Sequence, residues 1–414
     1  MIQTVRLQNG LRIVAEKVPA VRSISFGIWV HNGSRFEKPE FAGISHFIEH
    51  MLFKGTKRHS AKDIAEKLDT LGGQINAFTS KEYTCYYTRT LDTHFDTALD
   101  VLSDMFFNSK FDEEDIKKEC NVIIEEISMY EDSPEDLVSD LLHRSIWEDS
   151  LGQPILGTKE SISSFTKETF MSFMNERYYP ENTVIAISGN FDMDDMVKKI
   201  ESAFSGFKNN SSEKEFNFDT KYKRAVISKE KDIEQMHIIN AFPSIGSGHE
   251  DTYNLSVLNT ILGGGMSSRL FQNIREDQGL AYSVYSFASP HKNAGVFSIY
   301  AAINKSHYER YIESVIAEIK KLKTDRITEE QLKNVKEQIK SSYLLSREST
   351  SSRMNFIGRS EIVLGKIRTE EEVVNLIDAV TIDGMYNLID TIFNIDNMSI
   401  SAVGDISGVD FNAL

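Results

Sequence analysis

Two cysteines in 414 residues, Cys85 and Cys120, are too few for a disulfide framework. They fall in segments that read as a strand and a helix, far apart in sequence. Such sparse cysteine suits a reducing compartment, and a cytoplasmic location is expected. Long apolar runs are also missing: none approaches the roughly 18 residues that span a bilayer. The opening stretch Met1–Gly10 has neither an apolar signal core nor an Arg/Ser-rich amphipathic leader, so no membrane partner is expected. Positive charge is in deficit, with 46 Lys and Arg against 62 Asp and Glu and a net charge of −16. That balance argues against a nucleic-acid partner. What remains is ordinary for a soluble globular chain, 40% hydrophobic and 26% charged, and long enough for two or three domains.

The stretch Gly43-Ile44-Ser45-His46-Phe47-Ile48-Glu49-His50-Met51-Leu52 carries the first chemistry. Read at helical spacing, His46 and His50 are i and i+4 and project from one face, with Glu49 beside them. Two imidazoles one turn apart can hold a tetrahedral metal, usually zinc, and leave a position open. A carboxylate between them is placed to take a proton from water activated there. The order His-x-x-Glu-His inverts the commoner His-Glu-x-x-His. Two histidines on an exposed helix with no ligand are the plain alternative, and a third protein ligand is what the pair still lacks.

Asn9-Gly10 between strand-like runs signals a hairpin, and a longer strand over Ser23–Val30 precedes the histidine helix. Ser60 with Asp63 caps a further helix that ends at Gly72-Gly73. A strand pair then covers Ile75–Thr79 and Tyr83–Thr88, and a helix is expected over about 92–107. The next helix, about 112–129, has an apolar stripe of Ile116, Ile123, Ile127 and Tyr130. Glu119 and Glu126 fall on that same stripe. Charged groups are rarely buried unless paired or bound to metal, so a metal or a histidine partner would remove the anomaly.

The second half repeats the first. Asn397–Asp405 echoes Asn182–Asn190 at a separation of 215 (397 − 182), and Ile327–Leu332 echoes Phe111–Ile116 at 216 (327 − 111). That offset puts Val335 opposite Glu119 and Ser342 opposite Glu126, and the segment facing the histidine motif, Leu255–Gly263, has no His or Glu. The expected fold is α+β: two homologous α/β-sandwich domains in tandem, each a mixed sheet with helices packed on it. Residues 1–210 would be the metal-binding copy and 211–414 the copy without ligands, joined by a polar linker at 208–219. Gly263-Gly264-Gly265 lacks the Gly-Lys-Ser/Thr ending of a phosphate loop and reads as a hinge or a close backbone approach. Arg275 and Tyr282, seven positions apart, read by themselves as an exposed helix end followed by a strand.

Together these residues resemble the pitrilysin family of inverted zinc metallopeptidases, and within it bacterial processing proteases related to the mitochondrial processing peptidase β subunit. The likeness rests on His46-x-x-Glu49-His50, a glutamate 76 positions later at Glu126 (126 − 50) and another at Glu119. It also rests on Leu71-Gly72-Gly73-x-x-Asn76-Ala77, Tyr179-Pro180-x-Asn182 and the Arg275/Tyr282 pair. The resemblance covers essentially the whole chain. It implies one Zn2+ per chain held by His46, His50 and Glu126, with Glu49 as general base and Glu119 supporting the ligand set from behind. It further implies that Asn76, Ala77 and Phe78 form an edge strand to which an extended peptide adds. Arg275 and Tyr282 would bind the substrate backbone or the developing oxyanion. Relatives of this size pair around a chamber, and both motifs sit in this one chain. The expectation is therefore a zinc endopeptidase acting on extended or presequence-like peptides as a homodimer with composite sites. The alternative is a non-catalytic structural or chaperone-like subunit of the same fold, whose mark would be loss of motif residues; none is missing here.

Overall fold

The computed structural model describes residues 2–208 and 218–411, so residues 209–217 of the expected linker lie outside the described residues. Eleven strands among the described residues form two sheets. The first contains β1 (Ile2–Arg6), β2 (Arg12–Lys17), β3 (Ser23–Val30), β4 (Gln74–Thr79), β5 (Thr84–Leu91) and β6 (Thr183–Gly189). The second contains β7 (Val226–Glu230), β8 (Met236–Ser244), β9 (Ala281–Pro290), β10 (Gly295–Ile303) and β11 (Ser399–Gly404).

The first sheet runs in the order β1-β2-β6-β3-β5-β4 and the second β7-β11-β8-β10-β9. In the first, only β2 and β6 are parallel. In the second, only the corresponding pair β7 and β11 is parallel. With β1 set aside as an extra hairpin strand, the two sheets have one topology, and the repeat read in the sequence is a repeat of fold. The matched strands β6 and β11 even end alike. Gly189 and Gly404 have φ of +147° and +143°, and a Cβ at Gly189 would meet the Ser23 carbonyl oxygen at 2.3 Å. Only glycine fits such a close.

Packing divides the chain into two compact units that cut across the sequence halves 1–210 and 211–414. One unit comprises Met1–Ser128, Gln153–Asn217 and Leu345–Thr369; the other comprises Met129–Gly152, Phe218–Leu344 and Glu370–Leu414. Each copy has therefore given a helix to the other copy's sheet. Helix Pro134–Ile146 contributes Val138, Leu142 and Ile146 to a core with Ile239, Val296 and Val403 of the second sheet. Helix Thr350–Arg359 contributes Met354 and Ile357 to a core with Val14, Trp29 and Val184 of the first. Both helices start on a serine cap, Ser133 and Ser349, 216 positions apart (349 − 133), so the exchange follows the repeat. In the first unit it is pinned by buried Glu16, which accepts from Arg347 Nη2 and Arg353 Nη1 at 2.6 Å each.

Candidate metal centre

The histidine helix forms as Ile44–Leu52. Ile44, Phe47, Ile48, Met51 and Leu52 recur at i, i+3, i+4, i+7 and i+8 and are buried in the core of the first sheet. That stripe fixes the rotation of the helix and leaves His46, Glu49 and His50 on another face. The start is fixed twice. Gly43 has φ of +90°, and a Cβ there would meet the Leu156 carbonyl oxygen at 2.6 Å. Buried Glu37 accepts from the backbone N–H of Gly43 (2.7 Å) and of Ser45 (2.8 Å), so one carboxylate ties down two amides at the first turn. Burial pushes Glu37 up to about 7 against the pull of those bonds.

The glutamate helix forms as Glu113–Asp132, with Ile116, Glu119, Ile123 and Ile127 buried. Tyr130, expected on the same stripe, is instead exposed. The chain leaves the first unit after Ser128, so the core against which the stripe packs stops before it. Glu126 is half-buried beside both histidines: its Oε2 is 3.8 Å from His46 Nε2 and 3.6 Å from His50 Nε2. One donor atom from each of the three residues falls within 4.8 Å of the others. Ligands on a tetrahedral zinc stand roughly 3.4 Å apart, a few tenths of an ångström tighter than Glu126 Oε2 to either histidine.

The electrostatics suit a cation. Burial, with a smaller push from His50, lowers His46 to about 3, so the imidazole stays neutral and its lone pair is available. Its Nδ1 is buried with no hydrogen-bond partner among the described residues. Burial raises Glu126 while His50 lowers it. Two imidazoles and one carboxylate are the ligand chemistry of zinc hydrolases, so the donor set fits the metal.

Behind the ligands, Glu119 Oε2 stands 3.1 Å from His50 Nδ1, while Lys54 Nζ holds its other oxygen at 2.6 Å. A carboxylate behind a metal-binding imidazole fixes its tautomer and orientation. Glu119→Gln is therefore expected to weaken zinc binding by roughly 10- to 100-fold with the fold intact, measured by competition with a chromophoric chelator.

Glu49 is not part of the triangle. Its Oε2 accepts from Thr79 Oγ1 at 2.5 Å, which aims the carboxylate and joins the helix to the end of β4. Burial raises its pKa, as does Glu126, against opposing pulls from Thr79 and His50. Among the described residues β4 is an edge strand that pairs only with β5, and it contains Asn76, Ala77 and Phe78. Arg275 and Tyr282 belong to the other compact unit. Arg275 lies in the π-helical segment Phe271–Asp277, and its guanidinium is 5.4 Å from the Tyr282 ring centroid and 4.7 Å from that of Phe271. Tyr282 is the second residue of edge strand β9 and is 75% exposed.

Two contributors have no signal in the sequence reading. Glu37 sits in a loop without periodicity, and Thr79 is one threonine among several strand threonines.

The loop-borne acid Glu37 gives a pH test. Its raised pKa means the folded state holds its proton more tightly than the unfolded chain, so its contribution to stability is present below about pH 4.5 and lost as pH rises through about 7. Because a glutamine does not titrate, the stability of the wild type relative to Glu37→Gln is expected to fall as pH rises from about 4.5 to about 7, read by thermal unfolding. A gap independent of pH would contradict it.

Two imidazoles a helical turn apart, a carboxylate closing their triangle and an acid on the same turn form the donor set of the zinc-peptidase class. Residues 12–159 match the family model described as insulinase (peptidase family M16), and residues 164–339 match that described as the peptidase M16 inactive domain. The chain is 46% identical over 401 residues to a Bacillus subtilis protein named uncharacterized zinc protease YmxG, covering 96% of this chain and 97% of that one. It is 39% identical to an uncharacterized zinc protease of Rickettsia felis, covering 97% and 98%. It therefore belongs to the M16, or pitrilysin, family of peptidases. Its fold matches that of a protease from Helicobacter pylori, with a TM-score of 0.89 at 21% identity over 98% of this chain and 99% of that one. It also matches a structure described as a peptidase M16 inactive domain from Pseudomonas fluorescens, with a TM-score of 0.91 at 20% identity over 97% and 98%. No helix among the described residues is long and apolar enough to cross a membrane.

Proposed function

We propose that this chain is a zinc-dependent endopeptidase that hydrolyses extended peptides. The observation that carries the reading is the convergence of His46, His50 and Glu126 next to Glu49, itself hydrogen-bonded to the end of an open sheet edge. His46, His50 and Glu126 would hold one zinc per chain. When bound, the metal lowers the pKa of a coordinated water toward about 7 and polarises a carbonyl. Glu49 takes the proton of the attacking water and returns it to the leaving amine, and Thr79 keeps its carboxylate turned to that task. Glu119 holds His50 in one orientation. The edge strand at Asn76, Ala77 and Phe78 receives the peptide backbone, so the substrate has to be locally extended.

Arg275 and Tyr282 would donate to the substrate backbone or to the oxyanion as charge develops there. Both motifs in one chain lead to a homodimer in which the zinc copy of one protomer works with the Arg/Tyr pair of its partner. Sparse cysteine suits such an enzyme to a reducing, cytoplasmic setting. A purely structural subunit of this fold is the less economical reading, because every motif residue is present and the donor triangle is assembled. Mass-spectrometric profiling of a random peptide mixture tests the proposal. Zinc-loaded protein is expected to produce new termini that vanish with chelator and return with zinc; no cleavage by metal-loaded protein would overturn it.

A further inference from the structure

The motif Tyr179-Pro180-x-Asn182 has no part in the metal triangle or the edge strand, yet its asparagine is buried and ties two segments together. Asn182 Nδ2 donates to the carbonyl of Arg177 at 2.7 Å and to that of His31 at 3.1 Å. The His31 N–H donates back to the Asn182 carbonyl at 2.8 Å. We infer that Arg177, held by Asn182, is a positioning residue for His46, acting through Asn32 and Ser45 on the first turn of the histidine helix. The inference rests on the reading of His46 as a zinc ligand.

Arg177 closes helix Lys167–Arg177 and is 6% exposed, a costly place for a permanent charge. Its guanidinium lies 4.9 Å from the ring centroid of Phe36, the residue before Glu37. Its Nε donates to Asn32 Oδ1 at 3.1 Å, and Asn32 Nδ2 donates in turn to Ser45 Oγ at 2.9 Å. The Ser45 hydroxyl hydrogen-bonds Glu37, the same carboxylate that holds the N–H groups of Gly43 and Ser45. Asn32 and Ser45 are fully buried, and Thr84 Oγ1 anchors Asn32 by donating to its carbonyl at 2.8 Å.

The direction of these bonds is set at one end. A guanidinium has donors and no acceptor. The Asn32 amide therefore turns its oxygen to Arg177 and its NH2 group to Ser45. Ser45 Oγ accepts from that group and points its own hydrogen at Glu37. Ser45 immediately precedes His46, so this chain of bonds fixes the backbone from which the imidazole projects. The two ligand histidines are supported differently. His50 has Glu119 behind its ring, whereas His46 Nδ1 has no hydrogen-bond partner among the described residues. His46 is aimed through its backbone, and Arg177 is the far end of that support.

Zinc affinity, measured by competition with a chromophoric chelator, tests the role. Arg177→Met and Ser45→Ala are each expected to weaken zinc binding by roughly ten-fold, the lower end of what groups behind a ligand contribute. Both break one chain, so the double variant should also lose roughly ten-fold, and not the roughly hundred-fold product of independent effects. Cobalt(II) bound in place of zinc reports ligand geometry, and its visible absorption band should shift alike in all three variants. Asn32→Asp keeps an acceptor for Arg177 and removes the donor to Ser45, so it replaces Arg177→Met in the same cycle if that variant does not fold. Wild-type affinity and cobalt spectrum in folded variants, or losses that multiply, would overturn the positioning role and leave the zinc site standing. A wild type that binds no zinc would overturn both.

Discussion

Glu49→Gln is expected to keep its zinc and lose roughly 10^2- to 10^4-fold in kcat, the usual contribution of a positioned general base and acid. The metal should stay because Glu49 lies outside the triangle of His46, His50 and Glu126. The amide oxygen of glutamine can still accept from Thr79, so the connection between the helix and β4 should persist. KM should change little on the proposal that the edge strand, and not Glu49, grips the peptide. The variant therefore separates binding from proton transfer. A zinc-loaded Glu49→Gln protein with wild-type kcat would assign the catalysis to another group, and one without zinc would give Glu49 a part in holding the metal. Zinc content and steady-state kinetics on one peptide read both quantities.

The second large effect is a recovery. Glu49→Gln homodimers and Tyr282→Phe homodimers should each be impaired, the first in proton transfer and the second in stabilising the oxyanion. If each site combines the zinc copy of one protomer with Arg275 and Tyr282 of its partner, a mixed dimer has one doubly altered site and one intact site. Unfolding and refolding an equal mixture should then restore roughly a quarter of wild-type activity, half of the dimers being mixed and half of their sites intact. Sites confined to a single protomer predict no recovery in dimers shown by differential tagging to be mixed.

What the sequence disclosed about the site follows from local geometry. His46, Glu49 and His50 are legible because a helix converts spacing into a shared face, and the apolar residues Ile44, Phe47, Ile48, Met51 and Leu52 say which face is left over. Glu119 and Glu126 are legible because they occupy a stripe otherwise given to isoleucine. The structure buries Glu119 against His50 and leaves Glu126 half-buried beside both rings. Tyr130 extended the same stripe on paper, yet periodicity cannot say where the core beneath it ends.

The repeat was legible in two short echoes, and its topology is the same in both sheets. The exchange of helices between the copies was not. Helices Pro134–Ile146 and Thr350–Arg359 carry ordinary apolar faces, and nothing in such a face states which sheet it will cover. Glu37 escaped for the same reason: the contact that gives it meaning depends on how a loop folds back onto a helix start. Long-range partners of single polar residues are the part of a site that pattern does not encode.

Titration of zinc into metal-stripped protein tests the three-residue zinc site. The wild type should bind one zinc per chain. Glu126→Ala should bind more than about 100-fold more weakly, since losing a ligand costs more than losing a partner behind one. A single tight site of unchanged affinity in Glu126→Ala would contradict the account.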